Sequence, residues 1–175
     1  MNSPFVPKGT PLALKCLLLA TLFLSLVFPF LGPYLVLSKE GIAHLYLWQF
    51  ATYLFIHPFP SGIFQLALNL YVLWVFGTAI IERIHLKSFC ALYFGAGIFA
   101  GLLAWGAMFL FPPTPLSGSS PALYATLIAW VILNPESELF LFFAIPFKAR
   151  SLLIVLLGLG LLVHLASSAW IPLFA

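Results

Sequence analysis

The feature that most restricts the fold is the distribution of charge along the chain. Asp, Glu, Lys and Arg are absent from four long stretches, residues 16–38, 41–81, 88–135 and 151–175. A helix needs about 20 apolar residues to cross the hydrocarbon core of a bilayer. Only 6% of the residues are charged, whereas a soluble domain carries about 25%. The sequence therefore predicts an all-α, polytopic membrane protein and excludes an ordinary soluble domain or a disordered chain.

Proline and glycine divide the two longest charge-free stretches, at residues 57–62 and 112–118. The sequence then predicts a helical bundle with five membrane spans, at about residues 12–34, 62–82, 88–111, 120–134 and 149–170. Pro29 and Pro33 are expected to kink or end the first of them. The aromatic segment 42–56 suits an interfacial element lying at the membrane surface. We expect residues 1–175 to form a single membrane domain.

Lys and Arg set the expected orientation. Summed over the alternate sides of the five spans, six lie on one side and one on the other. The positive-inside rule then places the N-terminus, the 82–87 turn and the 135–150 loop in the cytoplasm, and loops 39–61 and 112–119 outside. The net charge of +3 is small and scattered, so we expect no nucleic-acid partner. No span offers the clustered ligands of a metal site, and we expect no cofactor.

Polar side chains within predicted spans are costly in hydrocarbon and are therefore informative. Gln65 and Asn69 are four residues apart and share one helix face. They are either hydrogen-bonding links between helices or a pair of donors facing a site. Ser120 precedes Pro121 and is either the N-cap of its helix or a reactive hydroxyl where a helix N-terminus can stabilise an oxyanion.

A serine nucleophile needs a base, which in proteins is most often a histidine. His164 has a predicted depth similar to that of Ser120, which allows a contact between them but does not require one. We assign no catalytic role to His44, His57 or His85. Gly97 and Gly101 form a small-xxx-small pattern and are expected to serve close helix packing. No buried pair of charges marks an ion path, which disfavours a carrier or a channel.

Five segments, taken in order, resemble the rhomboid family of intramembrane serine proteases. Each is weak alone, but their order and spacing are fairly specific, and the resemblance runs from about Trp48 to the end of the chain. The segments are Trp48 to His57, Gln65 to Asn69, Leu73 to Gly77 with Glu82 and Arg83, Gly118 to Ser120, and Ile145 to Arg150.

The resemblance implies a six-helix core with a water-accessible site sunk below the outer surface. Ser120 would be the nucleophile of an intramembrane endopeptidase, with its own backbone N–H in the oxyanion hole. Asn69 and Gln65 would stabilise the oxyanion. The partners would be transmembrane protein substrates, cleaved near the outer face, and the lipid bilayer. The expected location is a bacterial inner membrane, with several membrane passes and a cytoplasmic N-terminus.

The sequence departs from the family pattern at three places. Gln65 stands where the family usually has histidine, and Pro121 stands where it has glycine after the serine. The catalytic histidine of the sixth helix has no counterpart, since residue 175 falls about where that helix should begin. The chain is therefore truncated, which we favour, or is an inactive rhomboid-like protein that binds client helices, or uses His164 as its base.

Overall fold

A computed structural model describes residues 9–58, 62–112, 114–135, 138–141, 145–148 and 151. In chain order the elements are α1 (Leu12–Leu26), α2 (Phe28–Leu35), α3 (Lys39–Ala43), α4 (Gln49–Thr52), a 3-10 helix (Tyr53–Phe55), α5 (Ile63–Ala107), α6 (Ser120–Leu133), β1 (Glu138–Leu141) and β2 (Ile145–Lys148). The chain divides into two compact units, Met1–Thr126 and Leu127–Ala175. The fold is mainly helical, as the sequence predicted.

The first predicted span, residues 12–34, is a pair of helices joined by a sharp bend. α1 and α2 meet at an angle of 105° at Val27. Pro29 lacks the N–H that would bond to the carbonyl of Ser25, and its ring would clash with that carbonyl, so α1 ends before it. The sequence predicted a kink or an end at Pro29 and Pro33, but the bend lies just before Pro29, and Pro33 stands inside α2. With 15 residues, α1 is about 22 Å long, which is less than the hydrocarbon thickness of about 30 Å.

The first-loop segment, residues 36–58, is built of short helices and contains both exposed and buried side chains. Leu45, Leu47 and Trp48 are exposed, as suits an interfacial element. Tyr53, by contrast, is completely buried, although the sequence grouped it with the interfacial residues. The backbone hydrogen bonds between Leu37 and Leu116 join this segment to the loop before α6.

α5 is a helical run of 45 residues that is interrupted at His85. His85 has φ 63° and ψ 159°, a backbone conformation that non-glycine residues rarely adopt. The two arms, residues 63–84 and 86–107, correspond to the predicted spans at 62–82 and 88–111. Within the described residues, α5 alone is long and apolar enough to cross a membrane, and the bent α1–α2 pair passes the same test when taken together. The five separate spans stay a prediction.

The first-loop segment packs against Gly97 and Gly101 in the second arm of α5. A β-carbon at Gly97 would collide with the side chain of Leu54, and one at Gly101 would lie 3.1 Å from the ring of Tyr53. The expected close packing is therefore present. Among the described residues, the nearest partners belong to the first-loop segment: Leu54 at Gly97, and Tyr53, Leu37 and Phe50 at Gly101.

In the second unit, α6 ends at Leu133 and is followed by a β-hairpin. β1 and β2 pair in antiparallel register, with Glu138 opposite Lys148. The predicted all-α fold did not include this hairpin, which lies in the predicted cytoplasmic loop 135–150. α6 matches the predicted helix at 120–134. The fifth predicted span, at 149–170, lies outside the described residues except for Ser151.

Candidate active site

The site lies at the start of α6, where the first-loop segment holds the chain in place. Gly118 has φ +108°, which favours glycine, and its N–H donates a 2.9 Å hydrogen bond to the carbonyl of Tyr53. The carbonyl of Ser119 accepts the first hydrogen bond of the helix, from Leu123. Ser119 therefore takes the N-cap place that the sequence suggested for Ser120. Ser120 becomes the first helical residue and Pro121 the second, where a missing N–H is tolerated.

Two amide side chains from the first arm of α5 reach the two adjacent serines. Nε2 of Gln65 donates to Oγ of Ser120 over 3.4 Å, and Nδ2 of Asn69 donates to Oγ of Ser119 over 3.2 Å. Gln65 is exposed and Ser120 partly so, whereas Asn69 and Ser119 are buried. The expected stacking of Gln65 and Asn69 on one face thus brings both amides to the start of α6.

His57 is part of this site, although the sequence pattern indicated no catalytic role for it. Its Nε2 lies 2.9 Å from Nδ2 of Asn69, and its Nδ1 lies 3.4 Å from Oγ of Ser25 on α1. The residue is 1% exposed. The sequence signal was faint: His57 ends an apolar segment at a proline turn, and no periodicity relates it to its partners.

Burial determines the charge of His57. Removal from water lowers the pKa of its imidazole to about 4. The ring is therefore neutral at pH 7 and has one unprotonated nitrogen that can accept a hydrogen bond.

The arrangement provides a hydroxyl at a helix start with an amide donor beside it. Positive helix-dipole charge and N–H donors at such a position can stabilise an oxygen that becomes negative during acyl transfer. Among the described residues, only Gln65 hydrogen-bonds to the hydroxyl of Ser120. His164, the fallback candidate for the base, lies outside the described residues.

These features define a class, a helical membrane protein with a serine-centred polar site between its first loop and two of its helices. The model of the Rhomboid domain family matches residues 44–172, well over half of the chain. The chain belongs to the rhomboid family and is an integral membrane protein. This confirms the resemblance seen in the sequence. No curated protein matches the chain.

Proposed function

We propose that the chain is a rhomboid-type intramembrane serine endopeptidase in which Ser120 is the nucleophile. The observation that carries the proposal is the contact between Gln65 Nε2 and Ser120 Oγ at the start of α6. It joins an accessible hydroxyl to a hydrogen-bond donor across 55 residues of sequence. Family membership supports the reaction class, because the chain belongs to the rhomboid family, whose members include intramembrane serine proteases.

In the proposed reaction, Ser120 Oγ attacks the carbonyl carbon of a peptide bond in a partly unwound transmembrane helix. The serine proton passes to a base and from there to the leaving amine as the C–N bond breaks. Water then hydrolyses the acyl ester and frees Ser120. The oxyanion is stabilised by the backbone N–H of Ser120 and by Gln65. Asn69 can contribute only by releasing Ser119 or His57, since both contacts use its amide nitrogen.

The proposed reaction needs a base that accepts the proton of Ser120. We propose His164 for the role, as the histidine predicted to lie at the depth of Ser120. We further propose one domain over residues 1–175 with five spans and a cytoplasmic N-terminus, and cleavage near the outer face of a bacterial inner membrane. The substrates would be transmembrane proteins.

The test is covalent labelling by a fluorophosphonate in detergent micelles. Ser120 Oγ would bond to phosphorus, fluoride would leave, and the serine proton would pass to the base. We expect a single adduct on the peptide that carries Ser120, no adduct in Ser120→Ala, and none in His164→Ala. Ser117→Ala, in the same loop, is the matched control and should label as the wild type does. An adduct that persists in Ser120→Ala would refute the assignment of the nucleophile.

A second function is favoured by two observations. Of the described residues, no histidine hydrogen-bonds to Ser120, and Pro121 stands where the family has glycine. The alternative is an inactive rhomboid-like protein that binds client helices. It predicts no labelling of the wild type, together with client binding that is unchanged in Ser120→Ala. Client binding that is lost in this variant, while the fold is intact, would count against it.

A further inference from the structure

The hydrogen bonds of Ser25 determine which nitrogen of His57 carries the proton. Ser25 is fully buried, and its hydroxyl donates its one proton to the carbonyl of Phe55, which can only accept, over 3.0 Å. Its oxygen also accepts the backbone N–H of His57 over 3.1 Å. Because the hydroxyl proton is already used, Nδ1 of His57 can contact this oxygen favourably only as a donor. The proton of the neutral ring is therefore on Nδ1.

The contact at Nε2 of His57 indicates the same tautomer. Nε2 of His57, 2.9 Å from the amide nitrogen of Asn69, accepts a hydrogen bond when it is unprotonated. The second N–H of the same amide donates to Ser119. Both donors of Asn69 are thus committed, and the orientation of its amide group is fixed by the tautomer of His57.

We propose that His57 is a positioning residue, which acts through Asn69 and Ser119 to fix the peptide that carries Ser120. The chain of contacts begins at Ser25 on α1, crosses the first-loop segment and α5, and ends at the residue before Ser120. Three of these side chains are fully or almost fully buried, and Asn69 is 8% exposed. Water therefore does not compete for these hydrogen bonds, and losing one leaves a buried polar group without a partner.

The two amide side chains of α5 therefore have different roles. Gln65 contacts the hydroxyl of Ser120, whereas Asn69 holds the neighbouring residue in place. The effect on the chemistry of Ser120 rests on the proposed function. The tautomer of His57 does not, and it can be measured in a protein without any activity.

The first experiment is nitrogen-15 NMR of the full chain, labelled at histidine, in detergent micelles. His57→Gln assigns the His57 signals among the four histidines. We expect a neutral ring at pH 7 with the proton on Nδ1. A ring protonated on Nε2, or on both nitrogens, would overturn the proposal, because Asn69 would then have to present its oxygen to His57 and could not donate to Ser119 in the same orientation.

The second experiment measures the rate at which the fluorophosphonate labels Ser120. His57→Leu removes the acceptor for Asn69 and should slow labelling at least tenfold. His57→Gln restores an acceptor oxygen at a similar reach and should label within about threefold of the wild type. His44→Leu and His44→Gln, at an exposed histidine of the same segment, are the controls and should change nothing. Equal rates for His57→Leu and His57→Gln would overturn the positioning role.

The failures of the two proposals are distinguishable. If the wild type is not labelled, the proposed protease activity fails, and the NMR result alone decides on His57. If His57→Leu does not fold, the tautomer in the wild type and the rate of His57→Gln still test the inference.

Discussion

The hydroxyl of Tyr53 donates a 2.6 Å hydrogen bond to the carbonyl of Gly97, in the second arm of α5. The backbone carbonyl of the same tyrosine accepts the N–H of Gly118, two residues before Ser120. One fully buried residue of the first-loop segment thus connects the second arm of α5 to the candidate active site. A change that displaces the segment from Gly97 should therefore also alter the position of the backbone at Ser120.

The first prediction concerns Gly97. A β-carbon there would overlap with the side chain of Leu54, so Gly97→Ala should lower the free energy of unfolding by about 1–3 kcal/mol, as overpacking does. Gly95→Ala is the matched control, because a β-carbon at Gly95 meets nothing within 4 Å. It should be neutral or stabilising by up to about 1 kcal/mol, since alanine favours helix. Thermal unfolding in micelles measures both.

A double variant tests the cause of this effect. Leu54→Ala removes the side chain that Gly97→Ala would strike, so the double variant should be more stable than the sum of the two single effects predicts. Simple additivity would show that the overlap between Leu54 and residue 97 is not the source of the loss.

The second prediction concerns Gln65. Gln65→Leu removes the donor that faces Ser120, and removal of one oxyanion donor typically slows catalysis by about 10² to 10³. We expect a loss of this order in the rate of fluorophosphonate labelling. Gln65→His keeps an N–H donor and should lose less than tenfold. Phe64→Ala, at the exposed neighbouring position, serves as the control. A wild-type rate in Gln65→Leu would contradict an oxyanion role.

The third prediction concerns Gln49, which is completely buried in the first-loop segment. Its oxygen accepts the N–H of Ser38, and its nitrogen donates to the carbonyls of Pro33 and Tyr34. Gln49→Leu leaves these groups without their partner and should cost about 1–3 kcal/mol of stability.

Thermal unfolding checks this prediction, with His44→Ala as an exposed control in the same segment. Surface changes of that kind usually stay within about 0.5 kcal/mol. If both variants unfold at the same temperature, Gln49 does not hold the segment to the end of α2.

The parts of the site that follow from local geometry could be predicted from the sequence. Gln65 and Asn69 share a helix face because they are four residues apart, and α1 ends before Pro29 because proline lacks an N–H and its ring would clash with the preceding turn. His57 could not be found in this way. Its partners lie 32 residues before it and 12 after it, and no periodicity relates them. Likewise, the small-xxx-small pattern predicted close packing at Gly97, but only the tertiary fold selects Leu54 as the neighbour.

The last prediction is a dependence of stability on pH that arises from His57. The pKa of its imidazole falls from an ordinary value of 6.5 to about 4 in the folded protein, because burial disfavours the charged form. Ser25 on α1 and Asn69 on α5 hydrogen-bond to the ring, and both side chains are uncharged. Gly118, in the loop before α6, also lies beside the ring and carries no charge.

The sign of the effect follows from proton binding. Between pH 6.5 and 4 the unfolded chain binds more protons at this residue than the folded chain does, so stability falls as the pH falls through this range. Above pH 6.5 both states are neutral and the contribution is complete. The full loss, reached near pH 4 and below, is of the order of 3 kcal/mol.

Unfolding in micelles at a series of pH values measures this loss, and His57→Gln is the comparison that isolates it. Glutamine cannot be protonated in this range, so the variant should lose less stability than the wild type between pH 6.5 and 4. The remaining slope reports the other titrating groups, which are the same in both proteins. Parallel curves for the two proteins would mean that His57 is already accessible to protons in the folded state. The hydrogen bond from Asn69 to Nε2 would then not be maintained.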